Sequence, residues 1–197
     1  MPEKEAKSII TQILCALVYM NKLEHPIIHY DLKPGVLRNN SGNILLHNGI
    51  VKIIDFGLSK IVNDSNVSTP ITKRTFAETD LTSQGAGTYW YLPPEVFEKT
   101  ETIKISSKVD VWSLGVIFFE MVFGAKPFGN DKSQFSVLSE GTISIDGHAL
   151  VFPAKPLVSG DCKDFIRRCL TYHKEKRPDI LMLANDFYFK SAAKPCK

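Results

Sequence analysis

The gaps in this sequence exclude a good deal. Its four cysteines, Cys15, Cys162, Cys169 and Cys196, form no Cys-x-x-Cys pair. Zinc-ribbon and dithiol redox chemistry lose their usual signature, and buried reduced thiols are expected rather than disulfides. That suits a reducing compartment. There is no run of Lys and Arg, and the formal net charge is only +3, so no basic arm points to direct nucleic-acid binding. Long apolar runs are absent too. The most apolar stretch, Val109 to Phe123, is short for a membrane span and contains Asp110 and Glu120. It reads as a buried core helix, with no membrane partner. Met1 to Lys7 is charged and lacks a signal-peptide pattern. No internal repeat or low-complexity tract is visible.

What remains is enough for one domain. A chain of 197 residues, 44% hydrophobic and 23% charged, can bury a sizeable core. Residues 3 to 22 read as a helix, with Ile9, Ile10, Ile13, Leu14 and Leu17 on one face. His25-Pro26 ends it. Two apolar runs, Asn43 to Leu46 and Ile50 to Ile54, flank His47-Asn48-Gly49, and Asn-Gly between such runs predicts a β-hairpin. Residues 55 to 95 form a long polar connection rich in Ser and Thr, a length that signals function or disorder. It closes on the rigid aromatic and proline-rich stretch Gly85 to Glu95.

Ser106 or Ser107 is placed to cap the next helix. That helix is apolar nearly all round, hence central, and Gly124 stops it. A weaker helix over Lys132 to Glu140 and an irregular stretch over 141 to 158 follow, with Phe152-Pro153 packing on the core. Cys162, Phe165, Ile166, Cys169 and Leu170 then fall at clean helical spacing. Pro178 suits the first turn of a last helix reaching about residue 189. The tail from 191 to 197 is expected to fray. The fold class is therefore mainly α with a small β-hairpin.

Chemistry concentrates between His29 and Gly57. The stretch reads His29-Tyr30-Asp31-Leu32-Lys33-Pro34-Gly35, then Asn43-Ile44-Leu45-Leu46, then Val51-Lys52-Ile53-Ile54-Asp55-Phe56-Gly57. Two carboxylates, a lysine and an asparagine lie on loops beside the hairpin. Moving a phosphoryl group needs such a set: a base for a hydroxyl, oxygens for Mg²⁺, and a cation for the developing charge.

These motifs, in this order, with Asp110-Val111-Trp112-Ser113-Leu114-Gly115 as a further one, resemble the C-terminal lobe of a eukaryotic protein kinase. The likeness runs from about Lys4 to Phe189, as one domain over 1 to 190 whose activation segment is 55 to 95. By that resemblance Asp31 is the base that accepts the substrate hydroxyl proton. Lys33, in Asp-Leu-Lys-Pro, is the serine/threonine-type lysine that contacts the transferring phosphate. Asp55 holds the Mg²⁺ bridging the ATP phosphates, with Asn43 as a second metal ligand. Gly87 and Thr88 line the substrate-hydroxyl site, although a plain loop threonine competes with that role. His29, Phe56, Gly57, Glu95, Asp110 and Arg177 are structural: Glu95 pairs with a buried Arg177, and Asp110 bonds the catalytic-loop backbone.

The wording of His29-Tyr30-Asp31, Gly57-Leu58-Ser59-Lys60, Leu81 to Glu95 and Phe165 to Leu170 is similar to tousled-like kinases. That likeness implies a nuclear serine/threonine kinase in chromatin assembly, acting on histone chaperones of the anti-silencing type. Most kinases carry arginine where Tyr30 stands, and tyrosine cannot make a bidentate phosphate contact. Activity independent of a phosphate on the Ser and Thr residues between Ser59 and Ser83 is therefore expected.

Two departures qualify the likeness. The 197 residues contain no Gly-rich loop, no β3 lysine and no helix-C glutamate, the parts of the small N-terminal lobe that cover ATP. Weak ATP binding is expected of the chain alone, with a missing lobe or a partner in its place. The second departure is the insertion Val36 to Gly42, which displaces the family's asparagine. Asn43 is the preferred ligand, with Asn39 and Asn40 as weaker candidates. Three readings follow: an active kinase seen in part, a pseudokinase or truncated binding module, or a gene-model fragment.

Overall fold

The computed structural model describes residues 1–35, 42–62, 78–82, 85–98 and 100–190. The Val36 to Ser41 part of the insertion, most of the connection after Val62, and the tail from 191 lie outside the described residues. So do Ser65, Ser68, Thr69, Thr72, Thr75 and Ser83 among the phosphate-site candidates, and Asn39 and Asn40; Ser59, Thr79 and Thr82 are described.

Helix α1 spans Glu3–Asn21 and buries one stripe: Ile9, Ile10, Ile13, Leu14 and Leu17. Helix α2, Lys108–Phe123, buries every residue but the last. It is the axis of the main core, where Trp112, Leu114, Phe118 and Met121 meet α1 and the later helices. Fully burying each such side chain contributes about 1.5–3 kcal/mol. No described helix is long and apolar enough to cross a membrane. Gly124 ends α2 in the left-handed conformation, its N–H donating to the Glu120 carbonyl at 2.8 Å.

Short helices follow: α3 Gln134–Ser139, α4 Thr142–Asp146, α5 Gly160–Cys169, α6 Ile180–Ala184 and α7 Phe187–Lys190. The stretch expected to be irregular thus contains α4. The expected last helix is two short ones. Pro178, expected in the first turn, lies one residue before the cap of the first of them, Asp179, which accepts from Met182 N. Asp186 starts the second by accepting from Tyr188 N at 2.9 Å, and the same carboxylate takes a two-pronged bond from Arg168. Ser107 sits at the N-cap of α2 as expected, yet its side chain makes no cap hydrogen bond. Phe152 packs on Phe119 and Phe123 at 5.7 and 5.8 Å between ring centres.

The strands are short and antiparallel. β1 (Ile27–Ile28) pairs with β4 (Lys60–Ile61), and β5 (Thr79–Asp80) with β6 (Lys104–Ile105). β2 (Ile44–His47) and β3 (Ile50–Ile53) form the hairpin, with Ile44 opposite Ile53 and His47 opposite Ile50. Its two-residue turn, Asn48-Gly49, has φ of 51° and 77°, the left-handed pair that a hairpin twist demands. Gln12 of α1 clamps that turn, donating to the Gly49 carbonyl and accepting from Val51 N. The hairpin is thereby fixed to the helical platform.

Cys162 and Cys169 are buried free thiols. Cys15 is disulfide-bonded, which corrects the expectation of reduced thiols at that position.

Candidate active site

Four side chains expected to share the chemistry meet at one point. Asp31 is only 8% exposed. Lys33 Nζ donates to its Oδ2 at 2.9 Å, and Asn43 Nδ2 donates to the same oxygen at 2.9 Å. Thr88 Oγ1 donates to Oδ1 at 2.9 Å. Lys33 Nζ also reaches Thr88 Oγ1 at 3.2 Å, and Asn43 Nδ2 also reaches the Asp31 carbonyl at 2.8 Å. Charge-assisted bonds of this length are the strong kind. They lock the aspartate rotamer and keep the lysine beside it.

The backbone beneath is strained and held. Tyr30 has φ of 73° and Asp55 of 60°, a region costing an ordinary residue about 1–3 kcal/mol. Asp110, at the N-terminal turn of α2, over-determines the first of these. Its two carboxylate oxygens accept from His29 N at 2.8 Å and Tyr30 N at 2.9 Å. Burial, opposed by His29 and these two bonds, leaves the Asp110 carboxyl above its ordinary pKa. His29 Nε2 lies 3.1 Å from the Ile54 carbonyl, and its ring stands 4.9 Å from that of Phe56. Ile54 N in turn donates to the Asn43 carbonyl at 2.8 Å. Asp55 therefore follows directly on a residue bonded to both the His29 and the Asn43 segments. It is exposed, and its Oδ1 accepts from Gly57 N at 3.1 Å.

Asn43 keeps this position despite the insertion. Asn43 N and Ile44 N both donate to the Lys33 carbonyl, at 3.0 and 3.1 Å, and Gly35 N donates to the Ile44 carbonyl at 2.9 Å. The chain leaves this ladder after Gly35 and rejoins it at Asn43.

Behind Thr88 the segment is anchored by contacts that no local pattern announces. Gln134 Nε2 donates to the Gly87 carbonyl, Trp90 Nε1 to the Gly129 carbonyl, and Ser113 Oγ to the Tyr91 carbonyl. The Tyr91 hydroxyl donates to Glu120 at 2.6 Å. Glu95 closes the segment with a two-pronged bond to Arg177, at 2.8 and 3.0 Å. Tyr30 is 1% exposed, its ring among Ile28, Val62, Leu81, Leu92 and Ile105. Burial, then Tyr89 and Asp31, pushes its phenol up to about 12.

A buried aspartate fixed between a lysine and a hydroxyl, with a second carboxylate at a neighbouring strand end, is a set of groups that phosphoryl transfer can use. The protein kinase domain family matches residues 1–189, so the chain belongs to the protein kinase family. It is 53% identical over 196 residues to the serine/threonine-protein kinase TOUSLED of Arabidopsis thaliana, covering 98% of this chain and 26% of that protein. It is 54% identical over 193 residues to the human serine/threonine-protein kinase tousled-like 1, covering 95% of this chain and 23% of that one. The tousled-like 1 kinase of Caenorhabditis elegans is 50% identical over 188 residues, covering 95% of this chain and 18% of the relative. The chain thus spans about a quarter or less of the length of these curated relatives.

Proposed function

We propose that this chain carries the catalytic platform, the C-terminal lobe, of a serine/threonine protein kinase of the tousled-like type. The observation that carries the reading is the Asp31 carboxylate held by Lys33, Asn43 and Thr88 within 2.9 Å. Asp31 takes the proton of the attacking protein hydroxyl. Thr88 already donates a hydroxyl hydrogen to Oδ1, the direction in which a substrate hydroxyl donates. Lys33 supplies positive charge beside the leaving phosphoryl oxygens.

The donor set fits Mg²⁺. Both hydrogen bonds from Asn43 Nδ2 go to Asp31, which leaves its Oδ1 as the oxygen end. Asp55 offers an exposed carboxylate. One carboxylate and one amide oxygen suit an ion that keeps waters and phosphate oxygens as its other ligands. Asn43 and Asp55 would hold the ion, which when bound neutralises charge on the ATP phosphates. From the resemblance of its motifs to tousled-like kinases, we further propose a nuclear protein that acts in chromatin assembly on histone chaperones of the anti-silencing type.

The test is transfer of labelled phosphate from ATP to protein by the gene product that contains this chain, with phosphoamino-acid analysis. Asp31→Asn removes the base and is expected to lower the rate by about 10²–10⁴. Thr88→Ser keeps the hydroxyl and most of the activity. Phosphotyrosine as the product, or an undiminished rate in Asp31→Asn, would overturn the reading.

A further inference from the structure

We infer that Gly42 is a positioning residue: its backbone lies against Gly35 in a tight neck that sets Asn43 in place. The inference deepens the reading of Asn43 as a metal ligand and rests on it for its effect on rate.

The neck is a backbone-to-backbone contact. A Cβ added at Gly42 would lie 2.1 Å from Gly35 N, 2.2 Å from the Pro34 carbonyl carbon and 2.3 Å from Gly35 Cα. A Cβ essentially never approaches another atom below 3.0 Å, and the three atoms nearest this one are all backbone, which cannot swing aside as a flexible side chain does. Gly35 is tight as well: a Cβ there would meet the Ile44 carbonyl oxygen at 3.0 Å and the Gly42 carbonyl oxygen at 3.2 Å. The two glycines face each other at the point where the chain departs and returns. Pro34 and Ile44 form the bridge next to them.

Extra loop length between two fixed ends adds little entropy. The difficulty of an insertion here is geometric, because Asn43 must return within hydrogen-bond reach of Asp31. Gly42 solves it by letting the returning strand lie directly against Gly35. The ladder then resumes one residue later through the Lys33 carbonyl, which accepts from both Asn43 N and Ile44 N. A methyl group at 42 forces the neck open by about 1 Å and carries Asn43 with it. A misplacement of that size costs about a hundredfold in rate.

Four versions of the gene product that contains this chain decide the matter: Gly42→Ala, replacement of 36–41 by alternating glycine and serine, deletion of 36–42, and Gly160→Ala. The last is a control, because a Cβ at Gly160 meets nothing within 4 Å. The readouts are kcat for ATP-dependent transfer, the Mg²⁺ concentration giving half the maximal rate, and the Asn43 side-chain amide resonance in asparagine-labelled protein.

Gly42→Ala is expected to lower kcat about a hundredfold, raise the Mg²⁺ requirement and shift the Asn43 amide. The glycine-serine replacement, which removes Asn39 and Asn40, and the control are expected to stay within about threefold with the resonance unmoved. The deletion joins Gly35 to Asn43, removes the clash, and is expected to exceed the Gly42→Ala rate by at least about tenfold. Failure of Gly42→Ala to fold, with the deletion folded, supports the neck; failure of both overturns it. An unmoved Asn43 amide in Gly42→Ala overturns the inference, as does loss of activity in the glycine-serine replacement. Should the unaltered protein transfer no phosphate, the functional reading fails, and the amide resonance alone decides the neck.

Discussion

Replacing Arg177 by methionine probes the strongest long-range tie in the fold. The Arg177 side chain is fully buried, and that of Glu95 is 8% exposed. Arg177 donates to both Glu95 oxygens and to the carbonyls of Thr171, Lys108 and Tyr172, at 2.8 to 3.1 Å. Its guanidinium also lies 5.0 Å from the centre of the Trp112 ring. Methionine keeps much of the volume but strands a buried carboxylate and three carbonyls. Breaking one side of a buried pair costs about 3–5 kcal/mol. For a domain of this size that lowers Tm by about 6–20 °C. The check is urea or thermal unfolding of Arg177→Met, Glu95→Gln and the double variant. The two groups form one network, so the double variant should lose at least about 1.5 kcal/mol less than the sum of the singles. A loss below about 1 kcal/mol in Arg177→Met, or strict additivity, would refute the reasoning. Transfer activity should fall further than stability, because Glu95 closes the segment that delivers Thr88 to Asp31.

Tyr30 acts through packing: Tyr30→Phe should change stability by less than about 1 kcal/mol and Tyr30→Ala lower it by about 3–5 kcal/mol in thermal melts. Phosphatase treatment should leave transfer activity intact, and full loss after it would show a phosphate requirement. Glu3 ties α1 to α5, accepting from Ser159 N and Oγ at 2.8 and 2.7 Å and from the Tyr188 hydroxyl at 3.0 Å. Burial raises its pKa, but the bonds from Ser159 and Tyr188 and the nearby Lys7 outweigh it and bring the carboxyl below 4.5. A depressed carboxyl contributes stability above its unfolded pKa and loses it as pH falls through the folded value. The Tm gap between the unaltered chain and Glu3→Gln should therefore be widest near neutral pH and close below about pH 4.5; a gap constant down to pH 3 would contradict this.

Helical spacing was readable wherever one stripe met the core, as in α1 and α5, and so was the all-apolar α2. Asn48-Gly49 announced the hairpin because its backbone demands left-handed residues. The break between α6 and α7 was not readable, since it depends on where Asp186 finds Arg168, 18 positions earlier. A side-chain cap from Ser106 or Ser107 was expected from residue type, but Ser107 Oγ has no partner among the described residues and Ser106 Oγ accepts only a long bond, 3.4 Å, from Lys108 N. Nor does residue type reveal the left-handed backbone at Tyr30 and Asp55. Neither is glycine, and the first is imposed by Asp110, 80 positions away. Family motifs named the site residues; only the fold shows how many of them converge on the Asp31 carboxylate.

That convergence bears on what the insertion means. If the reacting geometry depended on unbroken spacing from Asp31 to the asparagine, seven extra residues would move Asn43 out of reach. Here the spacing along the chain is irrelevant, because the Lys33 carbonyl, the Ile54 N–H and the Asp31 carboxylate each hold the Asn43 region independently. Two of those anchors precede the insertion and one follows it in the hairpin. The hairpin is itself clamped by Gln12, before either. Positional information for Asn43 therefore arrives from both sides of the insertion. The geometric constraint then falls where Gly42 lies against Gly35.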